Sequence, residues 1–208
     1  LTSFQKICDV ETEIKETRIN DAKVDPHGGL VFGTYNEHPD RKNRKPIASL
    51  YRLAPDLSLT QLLTNITVSN GIAFPQGDNI MYFADTPTGR IQKFEYSQDF
   101  KKLNELDSNL IFNDVGVPDG ATVDSQNNYW SARVRGNCII CIDIKKEKIL
   151  KKINLPTATP TCLTFGGPDS SNLFVTSLRA EPINDSNDGN LYKVETNTQG
   201  QKQLLSDI

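Results

Sequence analysis

The sequence predicts an all-β fold, a β-propeller forming one domain over residues 1–208. Three observations predict it. Helical periodicity is scarce. Short β-rich runs bounded by Gly, Asn, Asp and Pro dominate. These runs recur four times as one two-part unit, at spacings of about 40–50 residues, the length of a propeller blade.

The first part of the unit is a polar turn followed by an apolar strand. It reads DPHGGLVFGT from Asp25, PQGDNIMYFAD from Pro75, DSQNNYWSA from Asp124 and GGPDSSNLFVTS from Gly166. With Phe32, Phe83, Trp130 and Phe174 as equivalents, the intervals are 51, 47 and 44 residues. The second part is a small residue, then a strand with apolar residues two and five positions on. Its copies start at Ala48, Gly89, Gly136 and Gly189. A β-sandwich would supply short strands too, but gives no reason for both parts to recur in one order. A single blade cannot cover both its faces, so neighbours must stack around an axis. Leu57–Leu63 and Phe100–Leu106 are the best helix candidates, and both also fit irregular connections.

A short polar cluster holds the same place ahead of each turn–strand part. These are Arg18–Asp21, Ser69–Gly71, Pro118–Gly120 and, in the fourth copy, Pro160-Thr161. Equivalent blade positions converge at one end of the axis, which joins Asn20, Asn70 and Asp119 into one candidate site. Pro118 and Gly120 give the signature of a turn, and Asp119 between them reads as a carboxylate held on a constrained corner, suited to a metal ligand or general base.

Other features bound the function. A net charge of −3 offers no electrostatic case for nucleic acid or an anionic membrane. No apolar run approaches the length of a membrane span. The basic run Arg41–Lys45 reads as a solvated loop. The first residues lack the basic-then-apolar order of a signal peptide. Cys138 and Cys141 are three apart on a strand and face opposite ways. The cysteines therefore read as buried free thiols, which favours a reducing, cytoplasmic location. Asn65 and Asn184 each head a glycosylation pattern of little weight without a secretory signal. His27 and His38 read as solvent-facing. His38, with Glu37 after the GTY strand end, is also a candidate for substrate contact. Asp85, Asp124 and Asp143 read as turn or surface residues.

RINDAKVDPHGGLVFGT, SNGIAFPQGDNIMYFAD, PDGATVDSQNNYWSA and TCLTFGGPDSSNLFVTSLR resemble, in order and spacing, the SMP-30/gluconolactonase/luciferin-regenerating (regucalcin-like) family. The resemblance runs from Arg18 to the C-terminus. It implies a six-bladed propeller, of which about four blades are visible in this chain. It further implies hydrolysis of sugar lactones with one divalent cation at the axis (Ca²⁺, Zn²⁺, Mn²⁺ or Mg²⁺). By the same resemblance Asn70 and Asp119 are metal ligands, Asp119 is the base, and Arg18 and Asn20 contact the substrate.

The family's N-terminal glutamate ligand has no counterpart motif; Glu11, Glu13 and Glu16 fall just before R-x-N-D. Ala22 replaces the glycine of the family's R-x-N-D-G. The chain is expected to be N-terminally incomplete, with a missing segment or a second chain completing the propeller. Two functions are expected, then: a metal-dependent lactone hydrolase, or a non-catalytic fragment that binds metal, ligand or a partner without turnover.

Overall fold

The computed structural model describes residues 5–179 and 187–208. Among these residues fifteen strands form four antiparallel sheets, the blades of a β-propeller. Blade 1 is β1 (Thr17–Val24), β2 (Leu30–Asn36), β3 (Ala48–Leu53) and β4 (Leu59–Ile66). Blade 2 is β5 (Ser69–Ala73), β6 (Ile80–Asp85), β7 (Arg90–Tyr96) and β8 (Leu103–Ile111). Blade 3 is β9 (Val117–Val123), β10 (Tyr129–Val134), β11 (Cys138–Asp143) and β12 (Lys148–Asn154). Blade 4 is β13 (Pro160–Gly166), β14 (Asn172–Ser177) and β15 (Leu191–Glu195). Each sheet is a meander in chain order. The first strands line up at the inner edge: β5 lies against β1 and β9, and β9 against β13.

The repeated turn has one cause in all four blades, a backbone position with positive φ just before the second strand. Gly28, Gly77, Asn127 and Ser170 occupy it, at φ of 77°, 84°, 63° and 55°. In blade 3 the turn is braced by Asp124, whose Oδ1 accepts from the Gln126 and Asn128 amides at 2.9 Å. Its Oδ2 accepts from Trp130 Nε1 at 2.9 Å. Asp124 is thus a turn residue as expected, but a buried one. Asp85 is also buried, accepting the Thr67 and Val68 amides at 3.1 and 2.8 Å.

Alternation along the middle strands fills the spaces between blades. Met81 and Phe83 point toward blade 1 and join Val31, Leu50 and Phe74; Tyr82 and Ala84 point toward blade 3 and join Val123, Tyr129 and Ile140. Trp130, Ile139 and Cys141 meet Leu163, Leu173 and Val175 of blade 4. Cys138 lies in one of these layers and Cys141 in the next, as expected for residues three apart on a strand. On the outer face of blade 1, Cys8 and Val10 cover Phe32, Tyr51 and Leu53.

Several expectations are corrected. Leu57–Leu63 and Phe100–Leu106 are not helical; they run into β4 and β8. Leu57 and Phe100 have φ of 66° and 54°, which closes a turn and prevents a helix starting there. Pro118–Gly120 is not a corner but part of β9; the corner is made earlier, by Gly116 at φ 80°. All four cysteines are free, but Cys162 is exposed and Cys8 half-buried. His27 is exposed, whereas His38 is half-buried, its Nδ1 accepting the Asp40 amide at 3.2 Å. Asn65 is exposed in β4; Asn184 lies outside the described residues. Among the described residues no helix is long and apolar enough to cross a membrane.

The C-terminal segment crosses the far end of the inner strands. Gly200 N donates to Ser170 O at 2.9 Å, Gln201 Nε2 to Phe74 O at 2.9 Å, and Asp207 N to Gly28 O at 2.9 Å. One segment therefore ties blades 4, 2 and 1, and the Ser125 amide adds blade 3 by donating to Gln199 O at 2.8 Å.

Candidate functional site at the inner-strand ends

Each inner strand carries an irregularity at the same height. Pairing shifts register between Ile19 and Ala22 in β1, between Asn70 and Ala73 in β5, and between Pro160 and Cys162 in β13. In β9 the shift falls at Asp119-Gly120, opposite Ser131–Arg133. A bulge inserts an unpaired residue and re-aims side chains. This is the local reason that polar residues here leave the alternation of the sheet.

A chain of side-chain hydrogen bonds then crosses three blades. Asn20 Nδ2 donates to Asn70 Oδ1 at 3.1 Å and to Ser69 O at 2.8 Å. Asn70 Nδ2 donates to Thr86 Oγ1 at 2.8 Å. Thr86 Oγ1 donates to Pro118 O at 2.9 Å, on the residue preceding Asp119. Blades 2 and 3 approach closely because residue 71 is glycine. Gly71 has φ 64°, and a Cβ there would stand 2.5 Å from Tyr129 Oη and 3.4 Å from Asp119 O. Tyr129 Oη instead donates to Gly71 O at 2.8 Å.

Asp21 and Asp119 supply the charge. Asp21 accepts the Ile72 amide through Oδ2 at 3.1 Å, and burial pushes its pKa up. Asp119 is raised to about 7, first by burial and then by the negative charge of Asp21, with the Gly120 amide and the charge of Arg41 opposing. A carboxylate poised there can take a proton near neutral pH.

Of the residues singled out by sequence, Asn20 and Asn70 are in direct contact, and the relay connects them to the backbone beside Asp119. Arg18 and His38 stand apart from it. Arg18 Nε pairs with Glu37 Oε2 at 3.1 Å, its guanidinium 4.6 Å from the Tyr35 ring centre. His38 lines a cleft of about 320 Å³ with Glu16, Asn36, Asn43, Lys45 and Ile47. The sequence reading passed over Thr86 and gave Asp21 no role. Thr86 follows Asp85 in the D-T-P-T stretch that closes β6, and a polar run ending a buried strand was the available signal. Glu11 is not at the axis: Thr34 Oγ1 and Tyr51 Oη both donate to its Oε1 at 3.0 Å.

The oxygens of Asn70 Oδ1 and the Asp119 carboxylate fit a hard divalent cation, which would also relieve the crowding of Asp119 by Asp21. They would make only two protein ligands; among the described residues no group of three or more His, Cys, Asp and Glu is placed to hold a metal ion.

Comparison with known proteins places these features in context. Residues 2–179 match the SMP-30/Gluconolactonase/LRE-like region. Regucalcin of Danio rerio is 32% identical over 79% of this chain and 56% of its own length. Pentonolactonase XacC of Haloferax volcanii is 27% identical over 92% of this chain and 67% of its own. Among solved structures, a luciferin-regenerating enzyme superposes with a TM-score of 0.91 at 30% identity, covering 100% of this chain and 71% of that one. The chain thus spans a little over half the length of the curated regucalcins it matches, 56% and 59% for two of them.

Proposed function

Because the chain belongs to the SMP-30/gluconolactonase/LRE family, we propose that it carries the larger part of a sugar-lactone hydrolase site. The relay Asn20–Asn70–Thr86–Pro118, ending beside a half-buried Asp119 raised to about 7, carries this reading. Relatives named as a pentonolactonase and a 6-deoxy-6-sulfogluconolactonase support it.

In this reading Asp119 takes a proton from water as the water oxygen bonds to the lactone carbonyl carbon. The ring C–O bond then breaks and the released alkoxide is protonated, leaving a hydroxy acid. A divalent cation on Asn70 Oδ1 and Asp119 supplies Lewis acidity when bound. Asn20 fixes the Asn70 amide so that Oδ1 is presented, and it contacts substrate hydroxyls together with Arg18. His38 sits in the rim cleft and reaches the substrate only at its outer end. Four unpaired thiols favour the cytoplasm.

A further segment or a second chain completes the propeller. Blade 4 has three strands among the described residues, and Leu191 and Ile19, on the two terminal blades, are 67% and 50% exposed.

The test is pH-stat hydrolysis of glucono-δ-lactone by the native protein, with chelator and then with Ca²⁺, Mn²⁺ or Zn²⁺ restored. Metal-dependent turnover that Asp119→Asn abolishes supports the proposal. Absence of turnover from folded, metal-loaded protein defeats it and favours the second reading, a non-catalytic binding fragment, which the two-ligand metal set also favours.

A further inference from the structure

The connection from blade 2 into blade 3 delivers Asp119 to the site, yet it has little of its own to hold it. It leaves β8 after Ile111, makes a 3₁₀ turn over Asn113–Val115 and enters β9 at Val117. No side chain caps the turn, and the bond from the Val115 amide to Phe112 O is long at 3.4 Å. Pro118 follows, with no N–H to give to the ladder. The strand then shifts register at Asp119-Gly120.

Arg133, on the neighbouring strand β10, supplies what the connection lacks. Its side chain is fully buried. Nη2 donates to Phe112 O at 2.9 Å and to Gly116 O at 2.6 Å, and Nε donates to Val115 O at 3.5 Å. One guanidinium thus gathers three carbonyls of residues 112–116. Among the described residues it forms no ion pair, and its buried Nη1 makes no hydrogen bond. Burial lowers its pKa to about 10, so it stays a cation at neutral pH. Burying a charge away from any carboxylate is costly. What the charge supplies in return is a planar fork that holds diverging carbonyls at fixed angles, which an apolar side chain of similar size cannot do.

The corner held in this way is packed backbone against backbone. A Cβ on Gly116 would stand 2.4 Å from Val134 O, and one on Gly136 2.0 Å from Val115 O. Val117 and Pro118 then pair with Val134 and with Arg133 itself. Pro118 O is the end of the relay, where Thr86 Oγ1 donates at 2.9 Å. Arg133 therefore fixes Gly116, and Thr86 fixes Pro118, just ahead of Asp119.

We propose that Arg133 is a positioning residue for Asp119: it touches no substrate, but by clamping the carbonyls of residues 112–116 it sets where β9 begins and so where the Asp119 carboxylate stands relative to Asn70. The inference rests on the lactonase reading for what Asp119 does, and adds to that site a residue buried behind it.

Three variants test it. Arg133→Lys keeps the charge and loses the fork, and Arg133→Met loses both. Trp130→Phe, on the same strand, removes only the bond to Asp124 at the opposite end of the blade. All three should lower Tm. Rates are measured well below the lowest Tm, with divalent cation in excess, and expressed per folded protein. On glucono-δ-lactone kcat should then fall at least about tenfold in Arg133→Met, since a misplacement of about 1 Å suffices for that. Arg133→Lys should recover part of the loss. KM should stay near its native value, and Trp130→Phe should keep the native kcat. A native kcat in both Arg133 variants, a loss shared by Trp130→Phe, or a rise in KM alone overturns the proposal. Should Arg133→Met fail to fold, Arg133→Lys against Trp130→Phe decides by the same criteria.

A second arm needs no turnover. Arg133→Lys and Thr86→Val are combined in a double-mutant cycle in urea. If the two ties fix one corner, the unfolding constant of the double variant should depart by more than about threefold from the product of the single effects. Independent effects overturn the proposal. If the native protein hydrolyses no lactone while the cycle shows coupling, the lactonase reading has failed and Arg133 stands as the clamp that places Asp119.

Discussion

Burial, and after it the negative charge of Asp21 on the first blade, raises the pKa of Asp119, on the third, to about 7. The two residues are 98 positions apart in the chain. Their coupling is produced by the packing of β1, β5 and β9 and gives the site its electrostatic character.

The pH dependence of stability follows from this pair. The folded-state pKa of Asp119 lies above its ordinary value of 3.8, so the folded protein binds the proton more tightly than the unfolded chain. Its contribution is present below pH 3.8 and is lost as pH rises toward 7. Asp21 and Asp85 are shifted in the same direction, chiefly by burial. Thermal melts in chelator should show Tm falling between pH 4 and 7, and Asp119→Asn should flatten that fall. Added divalent cation should raise Tm more at pH 7 than at pH 5, because metal and proton compete for one carboxylate. A cation effect independent of pH would speak against Asp119 as a ligand.

Thr86→Val removes the hydroxyl that links Asn70 to Pro118 O. Two half-buried hydrogen bonds are lost, and stability should fall by about 1–2 kcal/mol. If the relay positions Asn70, kcat on glucono-δ-lactone should drop with little change in KM. Urea melts and Michaelis curves on the same preparation separate the two effects.

Gly71→Ala places a Cβ 2.5 Å from Tyr129 Oη at a backbone φ of 64°. The combined strain and clash should cost about 2–4 kcal/mol. In Gly71→Ala/Tyr129→Phe the oxygen is gone, so part of the loss should return while the φ penalty remains. A double-mutant cycle in urea reads the difference.

Truncation after Gln199 removes the strap that ties the blades at the far end. Stability should fall by about 3 kcal/mol, which for a chain of this size is roughly 6–12 °C in Tm. Well below the new Tm, KM for lactone should be unchanged, since the strap lies opposite the site. Amide exchange at Ser125, which donates to Gln199 O, should accelerate once that residue becomes a free end.

Much of this was legible in the chain. The turn–strand repeat at Asp25, Pro75, Asp124 and Gly166 marks the second strand of every blade, and the copies starting at Ala48, Gly89, Gly136 and Gly189 mark the third, because a residue with positive φ and an apolar strand leave local signatures. The polar clusters around Asn20, Asn70 and Asp119 fall at equivalent positions, and repeat symmetry turns equal positions into one end of an axis. Where local rules misled, a tertiary partner or a backbone angle was the cause. Leu57–Leu63 turns at Leu57 and enters β4 at Leu59 because positive φ at Leu57 and pairing with β3 outweigh its helix preference. Asp119 proved to lie within β9, since the turn that Pro118 and Gly120 suggest is made by Gly116 instead.

By itself, then, the sequence determined the fold type, the blade repeat and the residues gathered near the inner-strand ends, because periodicity and turn chemistry act over a few residues. Only the tertiary structure decided what those residues do to one another. Asn20 reaches Asn70, Thr86 carries the link to β9, and Asp21 raises Asp119. The same packing brought Arg44 against Tyr35 beside Arg18, while Arg41, Lys42, Asn43 and Lys45 stayed exposed as their composition suggested. Hydrogen bonds and charges of this kind depend on distances across blades, and distances between residues about 50 apart are created only when the sheets stack around the axis.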